Sequence, residues 1–121
     1  MAEEIELLVD VSLRNGNIEN DFQPDTVLID QSTARFVDKV LDIGTSAESI
    51  TFDDITTEGY VMFQNADSTN YVTIGPDSGG QVNLIKLNAG EIAVFRLDPA
   101  ATVKATADTA TVKLRVVCYE N

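Results

Sequence analysis

The chain has no histidine and a single cysteine, Cys118, among its 121 residues. Histidine is the commonest acid–base group near neutral pH, and together with cysteine it supplies most zinc ligands. These absences exclude a disulfide within the chain and the usual zinc sites. We therefore expect a protein that is not an enzyme and that holds no metal or other cofactor.

Basic residues are also scarce, since 8 Lys/Arg stand against 20 Asp/Glu and the net charge is -12. The imbalance is concentrated at one end: residues 1–60 hold 14 acidic and 3 basic residues, and residues 61–121 hold 6 and 5. Such a surface repels nucleic acid phosphates and anionic lipid, and it attracts basic partners. No nucleic acid or membrane partner is expected.

No stretch approaches the roughly eighteen consecutive apolar residues of a membrane-spanning helix. The first residues, Met1 to Glu4, carry neither the basic nor the apolar part of a signal peptide. A hydrophobic content of 44% with 23% charged residues is typical of a folded globular chain. We expect one domain over residues 1–121, with residues 1–4 as a mobile tip.

Extended structure is indicated from the beginning of the chain. Apolar and polar residues alternate from Ile5 to Leu13, with Leu8 as the exception, and this period of two predicts a strand. Residues Asn20 to Asp25 resemble a polar loop, and the apolar run Val27–Ile29 is short enough to predict a strand. Residues 34–43 fit either a helix or a strand, and we favour a strand.

The rest of the chain shows a regular rhythm of apolar segments and turns. Segments rich in β-branched and aromatic residues are separated by turn sequences about every ten residues. This pattern predicts an all-β antiparallel β-sandwich, jelly-roll-like, with about 8–10 short strands. The predicted strands are Ile50–Phe52, Tyr60–Gln64, Tyr71–Ile74, Val82–Leu87, Ile92–Leu97, Thr102–Ala107 and Thr111–Tyr119.

Two of these strands are apolar on both sides, which a core between two sheets does not explain. If Ala93 and Phe95 face the core, the remaining apolar residues of their strand face outward, and a second apolar side is often covered by another subunit. In the last strand, Cys118 is expected to point inward as a small buried hydrophobic residue. We therefore predict a subunit interface, and the segment from Ile5 to Leu13 is a candidate strand for pairing across chains. The predicted interface residues are Ile92, Val94, Val117 and Tyr119.

Three other features have a chemical and a structural interpretation. The pair Asp53–Asp54, or Asp21 with Asp25, could hold a calcium ion, but the spacing matches no calcium loop, and a solvated acidic loop is favoured. The loop from Gly75 to Gly80 lacks the Lys-Ser/Thr ending of a phosphate loop, so a wide hairpin connection is favoured. The aromatic residues Tyr60, Phe63 and Tyr71 are expected to fill the core rather than stack on a ligand.

Two turn-and-strand motifs carry a resemblance to a known family. The first runs from Asn65 to Gly75 and includes Thr69-Asn70-Tyr71-Val72; the second runs from Lys86 to Leu97 and includes Ala89-Gly90-Glu91 before an apolar strand. Over residues 44 to 120 the chain resembles small β-sandwich virion structural proteins of tailed bacteriophages, of the head decoration or cement type.

That resemblance implies a protein made in the host cytoplasm that binds the outer surface of the phage capsid and stabilises the shell. Its partners would be the major capsid protein and further copies of itself, often as a trimer. The acidic first half favours a position outside the shell, away from packaged DNA. The alternatives are a phage tail or fibre module and a carbohydrate-binding β-sandwich.

Overall fold

The computed structural model describes residues 3–121, in which every helix or strand element is a β-strand. Most strands are short, and their β-branched and aromatic content is typical of extended structure. The all-β prediction is confirmed. The strands are β1 (Ile5–Leu7), β2 (Val11–Asn15), β3 (Ile18–Phe22), β4 (Val27–Ile29), β5 (Phe36–Ile43), β6 (Glu48–Ser49), β7 (Glu58–Asn65), β8 (Val72–Pro76), β9 (Ile85–Leu87), β10 (Ile92–Arg96), β11 (Val103–Ala107) and β12 (Val112–Glu120).

The strands fall into two compact units, residues 1–33 and residues 34–121. The sequence shows no composition change or linker at this position, and the interpretation of residues 1–121 as a single domain stays a prediction. The expected mobile tip at residues 1–4 includes Met1 and Ala2, which lie outside the described residues.

The first unit consists of two antiparallel ribbons. In one, β1 pairs with β4, and in the other, β2 pairs with β3 through a hairpin. The hairpin loop is Gly16–Asn17, and the positive φ of 59° at Gly16 is the conformation that a tight primed turn requires at its first central residue. No residue from Glu3 to Thr33 is buried.

Two predictions for this unit are wrong. The alternation from Ile5 to Leu13 does not form one strand, because β1 ends at Leu7 and pairs with β4, while β2 begins at Val11 and pairs with β3. The polar segment at Asn20 is not the start of a loop, since it belongs to β3. Polar residues can occupy a strand when its partner strand supplies the backbone hydrogen bonds, and here β2 does so.

The second unit is a two-sheet sandwich with a recognisable strand order. One sheet has the order β10-β7-β12-β5 and the other β6-β11-β8-β9, and all pairs are antiparallel. The first strand of the unit pairs with the last (β5 with β12), the second with the seventh, the third with the sixth, and the fourth with the fifth. This nested pairing, divided over two sheets, is an eight-stranded jelly roll. The predicted fold class is confirmed.

The core lies between these two sheets. Alternate residues of β12 and β7 face residues of β8 and β11 from the other sheet, as the period of two requires. Phe63 is 1% exposed, and its ring centre lies 5.7 Å from that of the half-buried Phe95. Cys118 is fully buried, as predicted. Every buried apolar residue of the described chain belongs to the second unit; the largest of those that are fully buried are Ile43, Val61, Phe63, Val72, Ile74, Val112, Leu114 and Val116.

Strand positions in this unit differ from the predictions at two places. Residues Ile50 to Phe52 are not a strand, although Ile50 and Phe52 are buried, because the neighbouring residues Glu48–Ser49 make the ladder with β11. Only Ile85–Leu87 of the predicted segment Val82–Leu87 is a strand. Residues Phe36–Ile43 form a strand, which confirms that choice over a helix. The connection between the antiparallel strands β8 and β9 is wide, as expected, but it runs over residues 77–84, because Gly75 and Pro76 belong to β8.

Candidate assembly surface

The sheet β10-β7-β12-β5 has an apolar outer side. Its inner residues fill the core, and the alternate residues of each strand point the other way. We call the six apolar residues on this outer side the apolar face. They are Phe36 and Val40 on β5, Met62 on β7, Ile92 and Val94 on β10, and Val117 on β12.

The strand register brings the four predicted interface residues onto this one side. Val94 is opposite Met62, which in turn is opposite Val117, so these three form a row across three strands. Ile92 lies two residues before Val94 on the same strand, and Tyr119 lies opposite Phe36. The prediction therefore grouped residues that do share a surface. Their role in binding a second subunit stays a prediction.

The apolar face is open to solvent in the isolated chain. Phe36 is 67% exposed, Ile92 64%, Val40 56% and Val94 44%, while Met62 and Val117 are half-buried. A surface depression of about 440 Å³ lies on it. Asp38, Gln64 and Arg115 also line this depression. Exposed apolar surface of this extent is typical of a contact site for another protein.

Two ion pairs lie on the same side of the sheet. Arg115 on β12 donates two hydrogen bonds to Asp38 on β5, and Nζ of Lys113 lies 2.9 Å from Oδ1 of Asp42. The hydrogen bond from Arg115 lowers the pKa of Asp38, and the hydrogen bond to Asp42 raises the pKa of Lys113. The Arg115–Asp38 pair lies within the apolar face, between Phe36 and Val40 on β5, and the Lys113–Asp42 pair lies beyond Val40.

The outer side of the other sheet is polar instead. Gln81 links two strands there: its side-chain nitrogen donates to the carbonyl oxygen of Thr73 at 3.1 Å, and its side-chain oxygen accepts from the hydroxyl of Thr106 at 2.6 Å. Lys104 on β11 and Lys86 on β9 are on the same outer side, with β8 between their strands. The two outer sides of the sandwich are thus chemically different, and the one predicted to bind subunits is the apolar one.

The aromatic residues divide between the core and the surface. Phe63 is buried as predicted, but the core prediction is wrong for Tyr60 and Tyr71, which are half-buried. Each tyrosine ring lies beneath a cation, with Arg96 4.8 Å from the Tyr60 ring centre and Lys86 4.2 Å from that of Tyr71. Such a cation covers the ring while its charge stays in water.

Three residues of the apolar face were not identified from the sequence: Phe36, Val40 and Met62. The sequence pattern does indicate an outward position for two of them, Phe36 and Val40. In the segment from Phe36 to Ile43 the inward residues are Val37, Leu41 and Ile43, so the other apolar residues of the strand necessarily face outward. This signal could be read only once the segment was known to be a strand.

Residues that could support other chemistry are dispersed or structural. Among residues 3–121, no group of three or more His, Cys, Asp or Glu side chains is arranged to hold a metal ion. Asp53 of the acidic pair has its carboxylate 2.8 Å from Nζ of Lys39. The thiol of Cys118 has its pKa raised to about 11 by burial.

Among the described residues 3–121, no helix has the length and apolar character needed to cross a bilayer.

The two motifs that carry the phage resemblance meet at one end of the sandwich. The buried side chain of Asn65 donates to the carbonyl oxygens of Asn70 and Leu87 at 2.9 and 3.0 Å. Its backbone pairs with the second motif, since its N–H donates to Glu91 and its carbonyl oxygen accepts from the N–H of Gly90. Both motifs therefore position turns at this end of the sandwich.

Comparisons with known proteins identify no family for the chain. No family model and no curated protein matches it. Among solved structures, the chain is similar to a protein of a structure described as "Bacillus endospore appendages form a novel family of disulfide-linked pili". The identity is 19%, the TM-score is 0.39, and the match covers 78% of this chain and 97% of that one. The class defined here, a jelly roll with one apolar outer side, rests on this chain's own strand order and surface.

Proposed function

We propose that this chain is a non-catalytic structural protein that assembles through the apolar face. The observation that carries the proposal is the contrast between the two outer sides of the sandwich, one apolar and open, the other polar and internally hydrogen-bonded. In particular, we propose a capsid decoration protein of a tailed bacteriophage, bound to the outer surface of the head. The sequence resemblance supports this more specific role.

The energetic basis is apolar burial repeated over many copies. Burying apolar surface contributes about 25 cal/mol per Å², so covering Phe36, Val40, Ile92 and Val94 offers several favourable contacts within one patch. Each contact in a regular lattice can be weak, because copies held together by their neighbours bind with a high effective concentration. A shell-stabilising protein acts in this way.

The charge supports a position outside a shell. A net charge of -12 repels packaged DNA, whereas it favours a basic patch on the major capsid protein. We propose that partner, together with further copies of this chain, and a trimer is the state that the resemblance implies. Neither partner requires a cofactor.

The first experiment measures the mass of the purified chain by light scattering and its co-sedimentation with undecorated phage shells. We expect oligomers and shell binding for the wild type, and loss of both for Val94→Asp, because the new charge would be buried without a partner. Leu84→Asp is the control, since Leu84 is 75% exposed but lies outside the apolar face.

A wild-type chain that stays monomeric at high concentration and does not bind shells would contradict the proposal. Equal losses for Val94→Asp and Leu84→Asp would show that the apolar face is not the contact. Oligomers that form but do not bind shells would favour the tail or fibre module, which imaging of intact virions distinguishes by location.

Carbohydrate binding is a second candidate, and one observation favours it. Phe36 and Tyr119 are cross-strand neighbours at one end of the outer sheet side, and Tyr60 is half-buried on the adjacent strand β7. Exposed aromatic rings on a sheet can stack on sugar rings. Binding to a glycan array that Tyr119→Ala abolishes, with unchanged oligomer mass, would select this candidate.

A further inference from the structure

The hairpin formed by β2 and β3 has two chemically different sides. Residues directly opposite each other in an antiparallel pair share a side. Val11 is opposite Phe22, Leu13 is opposite Asn20, and Asn15 is opposite Ile18, so four apolar residues lie on one side. The other side is polar, with Arg14 and Asp21 in an ion pair at 2.8 Å.

The apolar side of the hairpin has no cover in the isolated chain. Val11 is 58% exposed, Leu13 48%, Ile18 60% and Phe22 58%. A two-stranded hairpin is at best marginally stable in water unless a further layer packs on it. The hairpin has one apolar and one polar side, and this arrangement is typical of a segment whose apolar side packs on another surface.

The apolar face of the sandwich matches this segment in size and chemistry. The hairpin is two strands wide and five residues long, or about 16 Å, and the sheet that carries the apolar face is four strands wide. Residues 1–33 contain 8 acidic residues and 1 basic residue. The outer side of the sheet carries Arg96, Lys113 and Arg115, and it also carries Asp38 and Asp42, which pair with Arg115 and Lys113. The charges of the outer side are therefore largely balanced among themselves, and the match between the two surfaces lies in their size and their apolar character.

We propose that the apolar side of the hairpin of one copy packs on the apolar face of a second copy. Each chain carries one apolar hairpin side and one apolar face. In an assembly of identical copies, every hairpin can therefore cover the apolar face of a neighbouring copy. The inference rests on the proposed function, since it specifies what covers the same face. The two surfaces differ, so the contact is heterologous and builds a closed ring or an open chain of copies.

Two variants separate the two halves of this contact. The donor variant carries Val11→Ser, Leu13→Ser and Phe22→Ser, and it keeps the apolar face. The acceptor variant carries Ile92→Asp and Val94→Asp, and it keeps the hairpin. Both change exposed residues only, so their folding is verified by a thermal midpoint equal to that of the wild type measured at a dilution at which it is monomeric.

Light scattering and analytical ultracentrifugation then measure each variant alone and in an equimolar mixture. We expect each variant alone to be monomeric at 13.1 kDa, with association weakened by about 100-fold or more. The mixture should form dimers of one donor and one acceptor variant and nothing larger, because only one complete contact is available. Two controls should assemble as the wild type does: Ser12→Ala with Glu19→Ala on the polar side of the hairpin, and Leu84→Asp.

Each other outcome overturns the inference in a recognisable way. If the acceptor variant is monomeric but the donor variant assembles as the wild type does, the apolar face binds something other than the hairpin, and the proposed function still stands. If both variants assemble alone, the apolar face is not a contact, and both proposals fail. If the mixture stays monomeric, or if cross-links join a hairpin to the sheet of its own chain, the contact between copies is disproved.

Discussion

Arg115 and Asp38 form a two-point ion pair across β12 and β5. Nε of Arg115 donates to Oδ1 of Asp38 at 3.0 Å, and Nη2 donates to Oδ2 at 2.7 Å. This parallel arrangement uses the planar shape of the guanidinium group, which lysine lacks. The pair lies beside Val117, in the row of residues that crosses the apolar face. The partner that we propose for that face would therefore change the environment of this ion pair.

The first prediction concerns the loss of this pair. Asp38→Ala should change the thermal midpoint of the dilute monomer little, because exposed ion pairs contribute little to stability. It should weaken assembly clearly, since Arg115 would then be covered without its partner. Calorimetry on dilute protein and sedimentation at high concentration measure the two effects separately.

Asp42→Ala is the control for this prediction. Asp42 pairs with Lys113, whose side chain is 67% exposed, against 50% for that of Arg115. We expect a smaller effect on assembly for this more exposed pair. Equal effects of the two substitutions would show that Arg115 lies outside the covered area.

A second prediction concerns Glu120, whose side chain is buried at the end of β12. Its Oε2 accepts from the hydroxyl of Thr56 and from the N–H groups of Thr56 and Thr57, each N–H at 3.1 Å, and its Oε1 lies 3.3 Å from Nη1 of Arg35. The hydrogen bond from the Thr56 hydroxyl, with these other contacts, lowers the pKa of Glu120 below its ordinary value of 4.5. The stability from this carboxylate is complete above that value and is lost as the pH falls through the lower, folded-state pKa.

Glu120→Gln tests this at two pH values. At pH 7 we expect a lower thermal midpoint, because the amide cannot accept all the hydrogen bonds that the carboxylate accepts. Below pH 4.5 the variant should lose less further stability than the wild type. Glu19→Gln, an exposed residue of β3, is the control and should follow the wild type. Parallel pH profiles for Glu120→Gln and the wild type would contradict the assignment.

A third prediction compares two phenylalanines on opposite sides of the same sheet. Phe63→Ala should destabilise the chain by about 3–5 kcal/mol, because it leaves a cavity in a packed core. Phe36→Ala removes the same group from a 67% exposed position, so the stability of the dilute monomer should change by less than about 1 kcal/mol. Urea unfolding of both variants measures the difference. Similar losses of stability for the two variants would contradict the assignment of Phe63 to the core and Phe36 to the outer side of the sheet.

A fourth prediction concerns the thiol of Cys118. Burial raises its pKa to about 11, so at pH 8 it is a thiol rather than the reactive thiolate. We expect a colourimetric disulfide reagent to modify it only as fast as the chain unfolds, and immediately in denaturant. Ser12→Cys provides the comparison, since that exposed position should react at once in the native chain. Rapid modification of native Cys118 would contradict its inward orientation.

The strands themselves could be predicted where alternation was clear. In β12 and β10 the choice between inward and outward residues followed directly from the period of two, and this identified Ile92, Val94 and Val117 as residues without a place in the core. The prediction of strands failed where hydrogen bonding to a partner strand, rather than the local sequence, makes a segment extended. β3 is polar enough to look like a loop, yet it is extended because β2 provides its backbone hydrogen bonds.

By itself, the sequence determined the all-β class, the acidic surface, the inward position of Cys118 and the surplus of apolar residues. These follow from composition and from a periodicity that each strand carries locally. Only the tertiary structure decided that β12 lies between β7 and β5, so that Arg115 meets a carboxylate 77 residues earlier in the chain. Strand neighbours depend on hydrogen bonds between distant segments, and a local pattern of period two is compatible with many such pairings.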